Sequence, residues 1–265
     1  MAQDGRGWHN PAIGSQTGRL GVIAARLLPV LASWLGCAVA PALAQDELAR
    51  RNNMVAVIEA LIEATAPQTG VTALDSRVAA AMRKVPRDRF LPPPLREFAY
   101  ADTPLPLGHG QNLAQPYLAA LMTQMLAVKP GEKVFETGTD TGYHAAILSE
   151  LGAEVYSVEI VAPLLDVARK VLPALGYGKV RLRQGDGYSG WAEHAPYDAI
   201  LVKESSLEIP PALLRQLKEG GRMVMPLGPP EAQHLTLIEK LPGGRLRQKR
   251  YLPVRFTPFQ GGERT

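Results

Sequence analysis

Residues 133–143 have the sequence Lys133-Val134-Phe135-Glu136-Thr137-Gly138-Thr139-Asp140-Thr141-Gly142-Tyr143. Two apolar residues lead into an acid, a turn with a glycine at each end follows, and a helical pattern then runs to Gly152. This order predicts a buried strand, a tight loop and a helix. Glycine lets the backbone approach a ligand closely, and the helix N-terminus offers free N–H groups to an anion. The stretch is typical of the first βα turn of a nucleotide site, although a plain tight turn has the same pattern.

An acid also ends the next predicted strand, Val155–Glu159, roughly 20 residues further along, where doubly wound folds place a carboxylate that binds ribose hydroxyls. We favour that role for Glu159 over a solvated strand end. The glycine loop lacks the complete G-x-G-x-x-G spacing, so an adenosine ligand smaller than a dinucleotide fits better. Asp186, between Gly185 and Gly187, could accept the adenine amino group or form an Asx turn.

From Val134 onward, strand and helix patterns alternate. The segments that read as strands begin at Val134, Val155, Val180, Tyr197, Arg222, His234 and Leu246. Sequential βαβ units predict an α/β fold with a doubly wound, mostly parallel seven-stranded sheet and helices on both faces. The patterns predict a helical and loop cap over residues 45–130, and they predict a ligand-binding core over residues 131–265. Ligands of such sheets bind beyond the carboxyl ends of the strands, around Glu136, Gly138, Glu159, Asp186 and the residues after Val202.

Local patterns predict further elements. Helices are expected over residues 46–64, 76–84, 116–127, 162–175 and 210–217, the last of these stopped by Gly220 and Gly221. Prolines and glycines predict loops over residues 85–94 and irregular chain over residues 100–110.

Composition limits the function classes. The chain has 265 residues, 46% of them hydrophobic, which suits one α/β domain with extensions. The formal net charge of +4 is spread along the chain, so we expect no nucleic-acid partner. Cys37 is the only cysteine, and the histidines expected to flank the crevice, His109 and His144, have no second ligand at metal spacing. We therefore predict no metal site.

Residues 1–44 read as a segment outside the fold. Arg19 and Arg26 precede an apolar run over residues 27–40, and small residues lead to Ala44. This is the pattern of a secretory signal peptide, cleaved after Ala44. Export, to the periplasm, is the expectation, with no stable membrane anchor after cleavage. The alternatives are a misassigned start upstream of a cytoplasmic enzyme, an uncleaved anchor, and a lipoprotein site at Cys37.

Several motifs in the same order resemble the protein-L-isoaspartate O-methyltransferase family. The resemblance runs from about Val78 to Gly261, and its most specific parts are Arg87–Pro92, Tyr100–Asp102, Gly108–Gln111, Gln115–Tyr117, Gly185–Tyr188 and Leu252–Phe256. It implies a Rossmann-like methyltransferase fold, S-adenosyl-L-methionine as cofactor, and methylation of isoaspartyl carboxylates in damaged proteins. We expect a monomer.

The resemblance also implies roles for individual residues. The positions of the family's catalytic loop are Gln111, Asn112 and Ala114. Cofactor binding is implied for Glu136, Gly138, Thr139, Gly142, Glu159, Asp186 and Gly187. Substrate binding is implied for Gln115, Pro116, Val254 and Arg255.

Three departures from the family pattern fall on this site. Asn112 and Ala114 replace a threonine and a serine, and the lost Ala114 hydroxyl is worth roughly 1.5–3 kcal/mol, or about ten- to a hundredfold in rate. Asp140 replaces a glycine, where it would repel the cofactor's carboxylate by about 4 kcal/mol or else pair with its ammonium group. Lys203-Glu204-Ser205-Ser206 replaces a small, alanine-rich turn, and Glu204 would point into or beside the crevice.

Two hypotheses follow, with a weaker third. The chain is a working isoaspartyl methyltransferase that repairs exported proteins, or a catalytically silent methyltransferase-fold module used for binding or scaffolding. Export favours the second, because the cofactor is made in the cytosol. The third hypothesis is a methyltransferase with a different acceptor.

Overall fold

The computed structural model describes residues 28–260, with side chains from Gln45 onward, and divides into two compact units between Glu47 and Leu48. The side chains of the predicted signal peptide, and the signal itself up to residue 27, lie outside the described residues. Its backbone from Leu28 is helical. Within the described part of the chain, no helix combines the length and apolar character needed to span a membrane.

The helices and strands follow the predicted alternation from Lys133 onward. The α-helices are α1 Leu28–Ala64, α2 Ala66–Thr69, α3 Ser76–Lys84, α4 Pro116–Leu126, α5 Tyr143–Glu150, α6 Ala162–Ala174 and α7 Pro211–Gln216. The strands are β1 Leu105–Gly108, β2 Gln111–Leu113, β3 Lys133–Thr137, β4 Glu154–Glu159, β5 Arg181–Gln184, β6 Tyr197–Leu201, β7 Leu217–Leu227, β8 His234–Lys240 and β9 Leu246–Pro253.

The seven-stranded sheet has the order β5-β4-β3-β6-β7-β8-β9. The neighbouring strands from β5 to β7 pair in parallel, and β8 and β9 extend the sheet beyond β7 with antiparallel pairing, so that β9 is the edge strand. The predicted α/β class with a mostly parallel seven-stranded sheet is confirmed. From β3, the strands β4 and β5 follow on one side, and β6 and β7 follow on the other. Ligands of doubly wound sheets bind at this switch in strand order, between β3 and β6.

The sheet is covered on both faces. Alternate residues of β3 and β4 point to opposite faces, so Val134 and Val155 belong to one apolar cluster and Phe135 and Tyr156 to the other. The first cluster also includes the buried side chains of α1, α3 and α4. The predicted N-terminal cap is therefore part of the main hydrophobic core.

Three local predictions were wrong. Residues 100–110 are not wholly irregular, because β1 pairs with β2 around a turn in which Gly108, His109 and Gly110 all have positive φ. The loop over residues 85–94 contains the 3₁₀ helix Arg87–Phe90 and the start of another, Pro93–Phe98. Gly221 does not stop α7 but lies inside β7, where a Cβ would meet the Asp198 carbonyl oxygen at 2.9 Å.

Gly142 should be needed for packing as well as for its turn. Its φ is +102°, and a Cβ there would meet the Leu172 side chain of α6 at 2.9 Å. We expect Gly142→Ala to lower the free energy of unfolding by about 2–4 kcal/mol, from backbone strain and steric overlap together. Urea denaturation measures this loss.

Gly176→Ala is the matched control, because Gly176 has a φ of +89° and open space where its Cβ would lie. It should show the backbone strain without the overlap, and therefore a smaller loss. Equal losses for the two variants would contradict the proposed contact with Leu172.

Candidate active site

The carboxyl ends of β3, β4 and β6 meet at a crevice that contains two cavities. The larger cavity has a volume of about 170 Å³ and the smaller about 20 Å³. The residues that line both are Gln111, Gly138, Asp140 and Glu204. The two cavities are therefore neighbouring parts of one site, with these four residues between them.

The structure brings together most of the predicted site residues. The larger cavity is lined by the predicted catalytic-loop and substrate residues Gln111, Asn112, Ala114, Gln115 and Arg255. The smaller cavity is lined by the predicted cofactor residues Gly138, Glu159, Asp186 and Gly187. The site thus has two ends, which correspond to the two sets of roles implied by the sequence.

Other predicted site residues lie behind the cavity walls. Gly142 packs against Leu172. Thr139 is buried, with its hydroxyl 2.7 Å from that of Ser157. Pro116 is the first residue of α4, and Val254 packs against the main hydrophobic core. In this structure these four residues shape the site from outside the two cavities.

Glu159 is buried at the end of β4, as the strand pattern predicts. Its carboxylate accepts N–H bonds from Asp140 at 2.7 Å and from Val161 at 2.8 Å. Burial and the nearby Asp140 charge raise its pKa, and the two N–H bonds oppose this rise. This carboxylate therefore links the glycine loop to the start of α6, and it also lines the smaller cavity.

Asp186 forms the Asx turn that was one of its two predicted roles. Its carboxylate accepts the Tyr188 N–H at 2.9 Å, at the start of the 3₁₀ helix Gly187–Ser189. The same residue lines the smaller cavity. The turn thus holds Asp186 at the cavity wall, and contact with an adenine amino group stays a prediction.

Lys203 is the centre of a buried charge cluster that the sequence did not reveal. Its ammonium group lies 2.9 Å from an Asp140 oxygen and 3.2 Å from a Glu136 oxygen. Burial acts to lower the Lys203 pKa, but the charges of Asp140 and Glu136 outweigh it and raise that pKa. The unusual Asp140, with φ +53°, is therefore paired by a lysine of this chain.

Glu136 is fully buried and does not border the cavities directly. It accepts the Ser157 hydroxyl at 2.6 Å in addition to its ion pair with Lys203. Burial raises the pKa of Glu136, and the Lys203 charge opposes that rise. Glu136 therefore acts on the larger cavity through Lys203, which lines that cavity.

Glu204 points into the crevice, as predicted. Its carboxylate accepts a hydrogen bond from the Thr137 hydroxyl and lies against Gly138, where a Cβ would be 2.5 Å from a Glu204 oxygen. Burial raises the pKa of Glu204 to about 7, against the opposing effects of Thr137 and Lys203. The side chain narrows the crevice between the two cavities and leaves the larger one open.

The C-terminal segment after β9 forms a wall that sequence patterns only partly indicated. Phe256 and Thr257 line the larger cavity, and residues 258–260 line the smaller one. The Gln233 side chain holds Phe256 by accepting its N–H at 2.7 Å and donating to its carbonyl at 3.1 Å. Ser205 donates its N–H to Thr257, which ties this wall to the turn after β6. No local signal marked Gln233, because its role depends on pairing across the fold.

The catalytic-loop residues are held by two of the motifs that carry the family resemblance. The buried Arg87 donates to the Ala114 carbonyl at 2.7 Å and to the Ala99 carbonyl at 2.9 Å. Asp102 accepts the Tyr117 N–H at 2.7 Å, which caps the start of α4. Arg87 and Asp102 therefore position the loop of residues 111–115 from outside the two cavities.

The two histidines differ from the expectation that both flank the crevice. His144 is buried on α5, with Nε2 2.8 Å from the Thr123 hydroxyl, and burial lowers its pKa well below the ordinary value. His109 is exposed in the turn between β1 and β2. Among residues with described side chains, no group of three His, Cys, Asp or Glu could hold a metal ion.

The buried cluster predicts a stability test. Lys203→Met would leave Glu136 and Asp140 buried without their cation, and we expect a loss of about 3–5 kcal/mol in the free energy of unfolding at neutral pH. The pKa of Glu136, which burial already raises, would then rise further, so the folded state would bind a proton at this carboxyl group more tightly than the unfolded state does. The loss should therefore shrink as the pH falls towards about 5.

Lys218→Met is the control, because Lys218 also pairs with an acid, Asp198, at 2.7 Å, but at the surface. Denaturant melts of both variants at two pH values should give a much smaller, pH-insensitive loss for Lys218→Met. Similar losses for the two lysines would show that Lys203 does not neutralise buried acids.

Comparison with known proteins identifies the family. The family model described as protein-L-isoaspartate(D-aspartate) O-methyltransferase matches residues 56–264. Protein-L-isoaspartate O-methyltransferase 2 of Polaromonas sp. strain JS666 is 51% identical over 78% of this chain and 99% of its own length. Protein-L-isoaspartate O-methyltransferase 1 of Cupriavidus necator is 47% identical over 89% of this chain and 92% of its own length.

A solved structure with the name protein-L-isoaspartate O-methyltransferase superposes with a TM-score of 0.68, at 29% identity, over 80% of this chain and 66% of that chain. The shared fold, the matched length and the identity agree with the motifs quoted from the sequence. The chain belongs to the protein-L-isoaspartate O-methyltransferase family.

Proposed function

We propose that the protein is an S-adenosylmethionine-dependent methyltransferase that esterifies isoaspartyl carboxyl groups in damaged proteins. The observation that carries the proposal is the single crevice in which Glu159 and Asp186 lie at one end and the loop of residues 111–115 and Arg255 at the other. A donor and an acceptor bound at these ends would meet near Gly138. The comparisons give no support to the alternative of a catalytically silent module.

The residues at the smaller cavity fit the cofactor chemically. Gly138 has no Cβ to block close approach, and the carboxylates of Glu159 and Asp186 are acceptors for ribose hydroxyls and an adenine amino group. The cavity of about 20 Å³ has room for about one water molecule. Cofactor binding therefore requires wall side chains, among them Glu204 and Phe259, to move. Once bound, S-adenosylmethionine supplies an electrophilic methyl group.

The larger cavity fits an anionic peptide group. Arg255 is an exposed cation at its wall, and the amide side chains of Gln111, Asn112 and Gln115 can donate hydrogen bonds to a carboxylate. An isoaspartyl carboxylate is already ionised at neutral pH, so this site needs positioning and exclusion of water more than a general base. Ala114 contributes no hydroxyl, and the neighbouring amides provide the polar contacts here.

The reaction predicts a sharp peptide preference. The purified protein with S-adenosylmethionine should form a methyl ester on a peptide that contains isoaspartate, and not on the same peptide with normal aspartate. Base-labile methyl release and mass spectrometry measure the product. Binding of the cofactor without esterification of the isoaspartyl peptide would contradict the proposed acceptor.

Arg255→Met tests the acceptor end of the site in the same assay. Loss of a charge-assisted contact should raise KM for the isoaspartyl peptide about tenfold, with a smaller effect on cofactor affinity. Arg250→Met, at an exposed position of β9 outside both cavities, removes an equal charge and should leave KM unchanged. An equal effect of both variants would indicate general electrostatics rather than a contact at Arg255.

We also propose that the enzyme is exported to the periplasm and acts there as a monomer, with no nucleic-acid partner and no stable membrane anchor. The basic, apolar and small-residue order of residues 1–44 supports export. N-terminal sequencing of the native protein should give a start at Gln45. A native start upstream of Arg19, in a cytoplasmic fraction, would contradict export.

A further inference from the structure

Besides Asp186, which is held in its Asx turn, four acids surround the crevice, and three of these four are already committed to partners. Glu136 and Asp140 pair with Lys203, and Glu159 accepts two backbone N–H groups. Glu204 differs, because its one hydrogen-bond partner in the described part of the chain is the hydroxyl of Thr137, and it forms no ion pair there. It is thus the acid in this group that has neither a cation nor a pair of N–H donors.

Glu204 also has a distinctive position, between the two cavities of the crevice. It lies against Gly138 and lines both cavities, at the junction between the predicted cofactor residues and the predicted acceptor residues. A methyl group that passes from one end of the crevice to the other must cross this junction. A ligand that fills the crevice must therefore contact Glu204 or displace it.

We propose that Glu204 is a specificity-determining residue of the cofactor site, whose carboxylate favours the cationic methyl donor over the uncharged thioether product. This inference rests on the proposed function. S-adenosylmethionine carries a sulfonium charge that S-adenosylhomocysteine lacks, while the adenosyl, amino and carboxyl groups are the same. Methyl transfer removes the positive charge, so Glu204 holds the product less tightly than the donor and its release is favoured.

The surrounding charges support this assignment. Lys203, Asp140 and Glu159 all act on Glu204, and the larger cavity adds Arg255 at its wall. Lys203 is neutralised by two acids, and Arg255 faces the acceptor end, so neither serves as a close counter-ion for Glu204. Burial raises the pKa of Glu204 to about 7, and a bound cation would lower it. Donor binding should therefore release a proton, and donor affinity should rise with pH.

Calorimetry with the two ligands tests the proposal. In the wild-type protein, the ratio of the Kd for S-adenosylhomocysteine to that for S-adenosylmethionine should be about tenfold larger at a pH of about 8 than at a pH of about 5.5. The ratio is used because both ligands carry the same adenosyl, amino and carboxyl groups, so contacts of the protein with these shared groups contribute to both affinities. This measurement needs no variant.

Glu204→Gln keeps the shape and a polar contact with Thr137 but removes the charge. In this variant, the ratio of the Kd for S-adenosylhomocysteine to that for S-adenosylmethionine should be about tenfold below the wild-type value at a pH of about 8, and it should not depend on pH. Glu208→Gln is the matched control, because Glu208 is an exposed acid in the same loop, outside both cavities. It should keep the wild-type ratio at both pH values.

The proposal would be overturned if the ratio of the two Kd values in the wild type did not depend on pH. It would also be overturned if Glu204→Gln had the same ratio as the wild type. If the wild type also esterifies the isoaspartyl peptide, the proposed function stands and only the role of Glu204 is wrong. If the wild type binds neither ligand, both proposals fail together. A lower ratio in both Glu204→Gln and Glu208→Gln would indicate a long-range effect of net charge, and would also count against Glu204.

Discussion

The active-site crevice depends on the neutralisation of Glu136 and Asp140 by one buried lysine, Lys203. An unpaired charge is costly to bury, so each of these three side chains needs the others in order to be buried at the crevice. Asp140 is in the glycine loop, Glu136 is in β3 and Lys203 follows β6. Their pairing therefore joins the two strands on either side of the crevice and orients the loop between them.

The same cluster changes how the departures from the family pattern are understood. Considered one at a time, Asp140 and Lys203-Glu204 each add charge to a site that the family keeps small. In the fold, Asp140 and Lys203 form an ion pair at 2.9 Å and compensate each other. Glu204 is then the charged departure that has no ion pair of its own in the described part of the chain, and a cationic donor in the crevice would supply its counter-charge.

Polar tethers from distant parts of the chain complete the site. Arg87 and Asp102 hold the catalytic loop, and Gln233 and Ser205 hold the C-terminal wall. Arg87, Asp102 and Gln233 each use a side chain that binds backbone groups, and Ser205 donates its backbone N–H to the Thr257 carbonyl. These hydrogen bonds add to the packing of Phe256 against the main hydrophobic core. The site thus consists of separate segments at the carboxyl ends of the strands, and each segment is held by its own hydrogen bonds. This arrangement suits a cofactor that must enter and leave.

The sequence by itself determined the class of the fold, the order of its strands and helices from Lys133 onward, and the family, because these follow from local periodicity and from motifs with fixed spacing. It also placed Gly138, Glu159 and Asp186 around one crevice, since the carboxyl ends of parallel strands lie at one edge of a sheet. The family resemblance assigned Ala114 and Arg255 to the same site. Tertiary structure alone decided that Lys203 pairs with Asp140, that Gly142 faces Leu172, and that Gln233 holds Phe256. Each of these contacts joins residues 23 to 63 positions apart or lies between separate elements, and no local pattern records which side chains folding brings within hydrogen-bonding distance.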